Sequence, residues 1–175
     1  DYYYDVHLRY EGRWLINEEE LLSLIQTNYQ KAIDGNCGDY LSYYVLGYIN
    51  LVQEKIEEAI PYLRKSIEMK DDYATSHYNL AYAYFITGDG ENALTYAKNA
   101  LDLYENPEYK GDAARIIAAI YINREDIASA LKYAEMADQI DPENYYNLKA
   151  LLKLYVVTDH EKNIRNDKSI FRFSA

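Results

Sequence analysis

The sequence predicts an all-α protein, a solenoid of stacked helix–turn–helix repeats, and three observations predict it. A pattern of about 34 residues runs three times between Tyr40 and Asn144. Small residues hold the same slots in each copy. Turn-forming stretches such as Thr87-Gly88-Asp89-Gly90 separate the apolar segments. The pattern is clearest in the last copy, where Ile117-Ala118 is followed by Tyr121, Ala130, Ala134, Ala137 and Pro142. One repeat earlier the slots hold Leu80-Ala81, Tyr84, Ala93, Ala97 and Ala100, and in the first copy Leu46-Gly47, Asn50, Ala59, Leu63 and Ser66.

Packing explains the pattern. Neither helix of a hairpin can bury its apolar face alone, so hairpins stack. Close approach within a hairpin needs small residues, and Gly47, Ala81 and Ala118 are expected to face Ala59, Ala93 and Ala130. A third small slot, Ser66, Ala100 and Ala137, lets the next repeat's first helix pack against the second helix. Asp141-Pro142 closes a helix, because the residue before Pro leaves the α region and Pro cannot continue the ladder.

These residues resemble the tetratricopeptide repeat family over 40–144, and more weakly over 145–175. The resemblance implies a right-handed α-solenoid with repeats at 40–73, 74–110 and 111–144. Residues 1–39 are a lead-in with a capping helix or degenerate repeat, and 145–175 a degenerate repeat with capping helices, all in one solenoid domain. Two departures are visible. The early aromatic of the first helix is His77 in one copy and Ala114 in another, and the closing Pro is absent after the first copy and late, at Pro107, after the second.

The elements follow in order. Residues 1–16 are aromatic-rich, with Tyr2, Tyr3, Tyr4, Tyr10 and Trp14, and are read as a cover for the end of the first helix pair. Asn17 and Glu20 form a capping box, and Glu18 to Glu20 suit the positive end of the helix dipole. Leu21, Leu22, Leu24, Ile25, Tyr29 and Ile33 are expected to give that helix its apolar stripe, and it stops near Asp34-Gly35. Asp39 caps a helix over 40–52. Its partner spans 56–69, with Pro61 near the start, where a missing amide costs little. The next pairs are 73–87 with 91–104, and, after a break at Asn106-Pro107, 110–123 with 126–140. A helix over 145–157 and a polar terminal helix over 160–172, with Ile164 and Phe171 on its core slots, complete the array.

Charge and composition narrow the function classes. The 175 residues carry a net charge of −11, which excludes a phosphate-backbone partner and an anionic membrane surface as natural ligands. No apolar run reaches the roughly 18 residues of a membrane span. With one cysteine, Cys37, no intramolecular disulfide forms. A chain beginning at Asp1 is expected to be trimmed or processed, so both a cytoplasmic location and an exported, periplasmic one stay open.

No catalytic or metal constellation stands out, and no cofactor is expected. His7, His77 and His160 are far apart, and His160-Glu161 lacks the second His of a zinc-protease helix. Asp89-Gly90-Glu91 is too short for a calcium loop, and Cys37 has no pairing His.

The resemblance implies instead that the first helix of each repeat lines a concave groove. On this sequence the groove positions are Leu41, Tyr44 and Tyr48, then Thr75, Tyr78 and Tyr82, then Asp112, Arg115 and Ala119, then Tyr146, Lys149 and Lys153. One turn on lie Leu51, Phe85, Ile122 and Val156. Tyr44, Tyr48, Tyr78, Tyr82, Phe85 and Tyr146 are expected to supply contact area, and Arg115, Lys149 and Lys153 a basic wall. The expected partner is a protein or peptide carrying apolar and acidic side chains. A self-assembling repeat protein, a glycan or small-molecule binder and a regulatory part of a larger protein are the alternatives. One family subtype clamps a chaperone's C-terminal carboxylate through Lys, Asn and Arg. Here those slots hold Tyr44, Tyr48, Asn79, Asp112 and Ile116, and only Asn79 matches, so that ligand is not expected.

Overall fold

The computed structural model describes residues 18–157, and over them it shows eight α-helices and no strand. They are α1 (Glu18–Asp34), α2 (Tyr40–Val52), α3 (Ile56–Met69), α4 (Ala74–Thr87), α5 (Gly90–Leu103), α6 (Pro107–Asn123), α7 (Ile127–Ile140) and α8 (Tyr145–Val157). The Asn17 cap, the aromatic lead-in and the terminal helix over 160–172 lie outside the described residues.

Helix ends follow local chemistry. Asp39 accepts the Ser42 amide at 2.9 Å and the Ser42 hydroxyl answers the Asp39 amide, a reciprocal cap for α2. Asp89 and Asp126 cap α5 and α7 by accepting the amides of Asn92 and Ser129. Each of these three carboxyls lies below the usual carboxylate range, because the hydrogen bonds from its N3 residue favour the charged form. The turn from first to second helix needs one residue in the left-handed region, filled by Glu54 (φ 60°), Gly88 (φ 83°) and Glu125 (φ 59°). Only the middle repeat places glycine where glycine is the unstrained choice.

Two expectations are corrected. Pro107 does not break the chain ahead of a helix at 110; it is the first residue of α6, capped by Asn106, whose side chain accepts the Glu108 amide at 2.9 Å. Proline is pre-organised for that place, since its missing amide would have had no acceptor there. The third copy therefore starts a turn early: 34 positions separate Gly47 from Ala81, but 37 separate Ala81 from Ala118. Pro61 is the second correction. It lies inside α3, past the amides that lack acceptors, so the Glu57 carbonyl loses its helical partner.

Packing runs along the chain. Within repeats α2 packs on α3, α4 on α5 and α6 on α7, and between repeats α3 meets α4, α5 meets α6 and α7 meets α8. Ala81, Ala93, Ala97, Ala118, Ala130 and Ala134 are all buried. A Cβ on Gly47 would lie 2.7 Å from Leu63 Cγ, so the closest approach of α2 is to Leu63 rather than to Ala59. Larger rings fill the flanks: Tyr84 stacks on Tyr96 at 5.8 Å, and Tyr121 on Tyr133 at 5.7 Å, at equivalent places in successive repeats. In the first repeat Asn50 takes the place of the inner ring and donates to the Leu46 carbonyl at 2.9 Å. Polar contacts tie one repeat to the next. Ser66 and Ser76 hydroxyls are 2.8 Å apart, and Asn147, fully buried, donates to the Ala137 carbonyl at 3.0 Å. His77 is a core residue, its Nε2 2.7 Å from the Asp71 carbonyl oxygen.

Candidate functional site

The first helices α2, α4, α6 and α8 touch one another in succession, so they form one layer and present one wall. The charge along this wall is uneven. Neither α2 nor α4 contains an Asp, Glu, Lys or Arg, whereas α6 and α8 carry Asp112, Arg115, Lys149 and Lys153.

Position along each helix decides how far a ring stands out. Tyr44 and Tyr78 lean into the junctions between helices and are half-buried, Tyr44 on the cluster of Ala59, Leu63 and Leu80, Tyr78 on that of Ala81 and Ala113. Burial raises both phenols, Tyr44 further through its Tyr73 neighbour and Tyr78 through Asp112. Phe85 is likewise half-buried against the core. One turn on, Tyr48 and Tyr82 are 47% and 40% exposed. Tyr48 stacks on Tyr44 at 6.1 Å between ring centres, so the buried ring fixes the exposed one. Leu41, Ile122 and Val156 extend the exposed apolar surface.

The basic wall is narrower than the sequence suggests. Arg115 donates to Asp112 at 2.6 Å across one helical turn, and its guanidinium lies over the Tyr146 ring at 5.7 Å. Part of its charge is thus engaged within the chain. Lys149 and Lys153 are exposed; Lys149 Nζ sits 5.5 Å over Tyr145, an exposed ring that projects beside Tyr146. Sequence reading passed over Tyr73 and Tyr104. Tyr73 meets Tyr44 edge-on at 5.2 Å, and Tyr104 meets Tyr78 at 6.4 Å. Burial pushes the Tyr104 phenol up to about 12, although a hydrogen bond with Thr75 offsets part of the effect. Both lie in turns outside the groove positions, and only their place beside the first helices reveals them.

Among the described residues no three His, Cys, Asp or Glu side chains converge as metal ligands, and no helix is long and apolar enough to cross a membrane. Cys37 is exposed in the turn before α2.

Comparison with known proteins finds the same repeat. The Tetratricopeptide repeat model matches residues 40–73 and 74–107. No curated protein matches the sequence. Among solved structures the chain is similar to YrrB, a TPR protein with an unusual peptide-binding site, at 20% identity and a TM-score of 0.68 over 75% of this chain. It spans 66% of the length of YrrB. MamA is similar at 18% identity and a TM-score of 0.70, with 85% of this chain and 82% of MamA covered. The first TPR of Spaghetti (RPAP3), solved with the HSP90 peptide SRMEEVD, is similar at 21% identity and a TM-score of 0.64, covering 69% of this chain and 94% of that one. At these identities the likeness is one of fold, and it is the fold that helices, small-residue slots and repeat junctions had already built. Two stretches, residues 40–73 and 74–107, match the tetratricopeptide repeat directly.

Proposed function

We propose that this chain is a non-catalytic interaction module that holds a protein segment along the wall of first helices. The observation that carries the proposal is the charge-free stretch of α2 and α4. In a chain of net charge −11, two adjacent helices without a charged side chain show Leu41, Tyr48 and Tyr82 to solvent. Exposed aromatic and aliphatic surface of this kind marks an interaction site. Tyr is well suited to it, since the ring gives area and the hydroxyl stays hydrated.

The segment that fits is apolar or aromatic against α2 and α4, with a carboxylate toward Lys149 and Lys153 on α8. Arg115, between the two halves, pairs with Asp112. Peptide binding by structural neighbours supports the reading: YrrB has a peptide-binding site and the RPAP3 repeat was solved with a peptide. Of the carboxylate-clamp slots only the one at Asn79 is filled here, so the proposed ligand differs from a chaperone tail.

A peptide selected on the purified protein from a random phage-displayed library supplies the probe. Tyr82→Ala should raise its dissociation rate, since losing an anchor costs roughly 2 kcal/mol and such losses fall mainly on the off-rate. Tyr78→Ala is the less clean variant, because Tyr78 also packs against the core. Lys149→Ala should slow association and flatten its salt dependence, because exposed charges steer encounter. Parent-like kinetics in both variants would move the site off this wall.

A further inference from the structure

The edge of the solenoid formed by the turns between repeats carries a second pattern, separate from the groove. Each turn that leads from a second helix into the next first helix sets a tyrosine beside a carboxylate: Asp39-Tyr40, Asp72-Tyr73, Tyr104-Glu105 with Glu108-Tyr109, and Glu143 near Tyr145. Antiparallel hairpins place these turns at the same end of the stack. The rings there meet: Tyr40 and Tyr73 centres are 5.1 Å apart, and those of Tyr104 and Tyr109 are 5.6 Å apart. The Thr75 side chain lies beside the phenols of both Tyr73 and Tyr104, between the two ring pairs.

The chain itself shows what such a place attracts. Lys70 Nζ lies 4.7 Å over the Tyr40 ring and 3.9 Å from the Asp72 carboxylate. Lys149 Nζ lies over Tyr145, one helical turn before it, at 5.5 Å. An aromatic face attracts a cation through its quadrupole, and a carboxylate alongside adds a Coulomb term of the same sign. At two of the four turns the chain's own lysine is seated on the tyrosine. At the turn of Tyr104 and Tyr109 no described cation sits on a ring. Glu105 and Glu108 are exposed and in no ion pair, Tyr109 is 51% exposed, and the neighbouring Lys110 makes neither an ion pair nor a ring contact.

We propose that this edge, centred on Tyr104 and Tyr109, is a second docking surface and that its occupant is a Lys- or Arg-bearing segment of a partner protein. The sign follows from complementarity: rings and carboxylates together favour a cation, and the net charge of −11 draws one in. The groove segment needs the opposite end chemistry, a carboxylate, so one peptide does not satisfy both surfaces and either can fail without the other.

The test uses a blocked, fluorescently labelled oligo-arginine peptide and the same peptide with citrulline in place of arginine. Binding is followed by anisotropy at low and high salt. Tyr109→Leu keeps the charge and the apolar bulk but removes the quadrupole, and should weaken binding about two- to fivefold. Glu105→Gln with Glu108→Gln should weaken it further and reduce the salt slope. The control is Glu57→Gln with Glu58→Gln, which removes the same charge from the first turn of α3. It should change affinity much less than the edge pair. Citrulline peptide binding equal to arginine peptide binding, parent-like affinity in Tyr109→Leu, or a control effect as large as that of the edge pair would each overturn the proposal. Circular dichroism of every variant confirms that it is folded before its affinity is compared.

Discussion

Gly47→Ala gives the sharpest test of the repeat packing, because the two forces on it have opposite signs. In an ordinary exposed helix the change is stabilising by about 1 kcal/mol, through backbone entropy. Here the added Cβ would lie 2.7 Å from Leu63 Cγ, 2.8 Å from Leu63 Cδ2 and 3.3 Å from the Leu63 amide nitrogen. Leu63 is fully buried in a cluster with Ala59 and Leu80, so its side chain has nowhere to withdraw and α3 must shift. Overpacking of this kind costs about 1–3 kcal/mol. Set against the helix-propensity gain, the expected result is a net loss of up to about 2 kcal/mol, or a fall in melting temperature of up to about 8 °C for a chain of this size. Thermal and urea melts followed by circular dichroism measure it. The companion variant Gly47→Ala with Leu63→Ala removes the side-chain part of the clash. The pair should lose less than the sum of the two single losses, with a coupling of about 1 kcal/mol. A melting temperature that rises in Gly47→Ala would show that α2 and α3 do not approach there, and the register of the first repeat would be wrong.

Three further outcomes follow from the same structure. Ala118→Leu should cost about 1–3 kcal/mol by thermal melt, since Ala118 is buried between α6 and α7 beside Ala130 and Ala134. A parent-like melt would show that Ala118 is not at an interhelical contact. Glu125→Gly should raise stability by up to about 1 kcal/mol, because Glu125 holds the left-handed conformation that Gly88 holds in the preceding repeat. A loss would mean that the Glu125 side chain is needed there. Stability should also fall at both ends of the pH range. Tyr104, pushed up to about 12 in the fold, loses its proton more readily when unfolded. Its contribution is therefore complete below pH of about 10 and disappears as pH rises from there to about 12. The capping carboxyls Asp39, Asp89 and Asp126 lie below their ordinary range in the fold. Their contribution is therefore complete above about pH 4 and is lost as pH falls below it. Circular dichroism melts across pH give the profile, and Tyr104→Phe should make its alkaline arm shallower, the remainder belonging to the raised phenols of Tyr44, Tyr73 and Tyr78. An alkaline arm that Tyr104→Phe leaves unchanged would place the titrating group elsewhere.

Where the sequence is legible, a local device explains it. The start of α2 follows from Asp39 and Ser42, three residues apart, and the end of α4 from Gly88, which takes the positive φ. The small slots announce themselves because nothing larger fits, so Ala81, Ala93, Ala118 and Ala130 were read as buried and are. Pro107 was misread because proline has two local meanings, helix breaker and first helical residue, and the Asn106 cap decides between them. The pairing of Arg115 was within reach: Asp112 stands three residues before it on the same helical face. How far each Tyr stands out was not. Tyr44 and Tyr48 are equivalent in type and lie on the same helix. Only the next repeat, through Tyr73 and Leu80, buries the first and leaves the second open.

Site-directed photocrosslinking tests the central claim most directly. Benzoylphenylalanine is placed at Tyr82 on the wall of first helices, or at Lys98 on the exposed face of α5, and each protein is irradiated with the library-selected peptide. The account predicts a peptide adduct from position 82, competed away by unlabelled peptide, and none from position 98. An adduct from position 98, with none from position 82, would place the ligand on the second helices and contradict the proposed function.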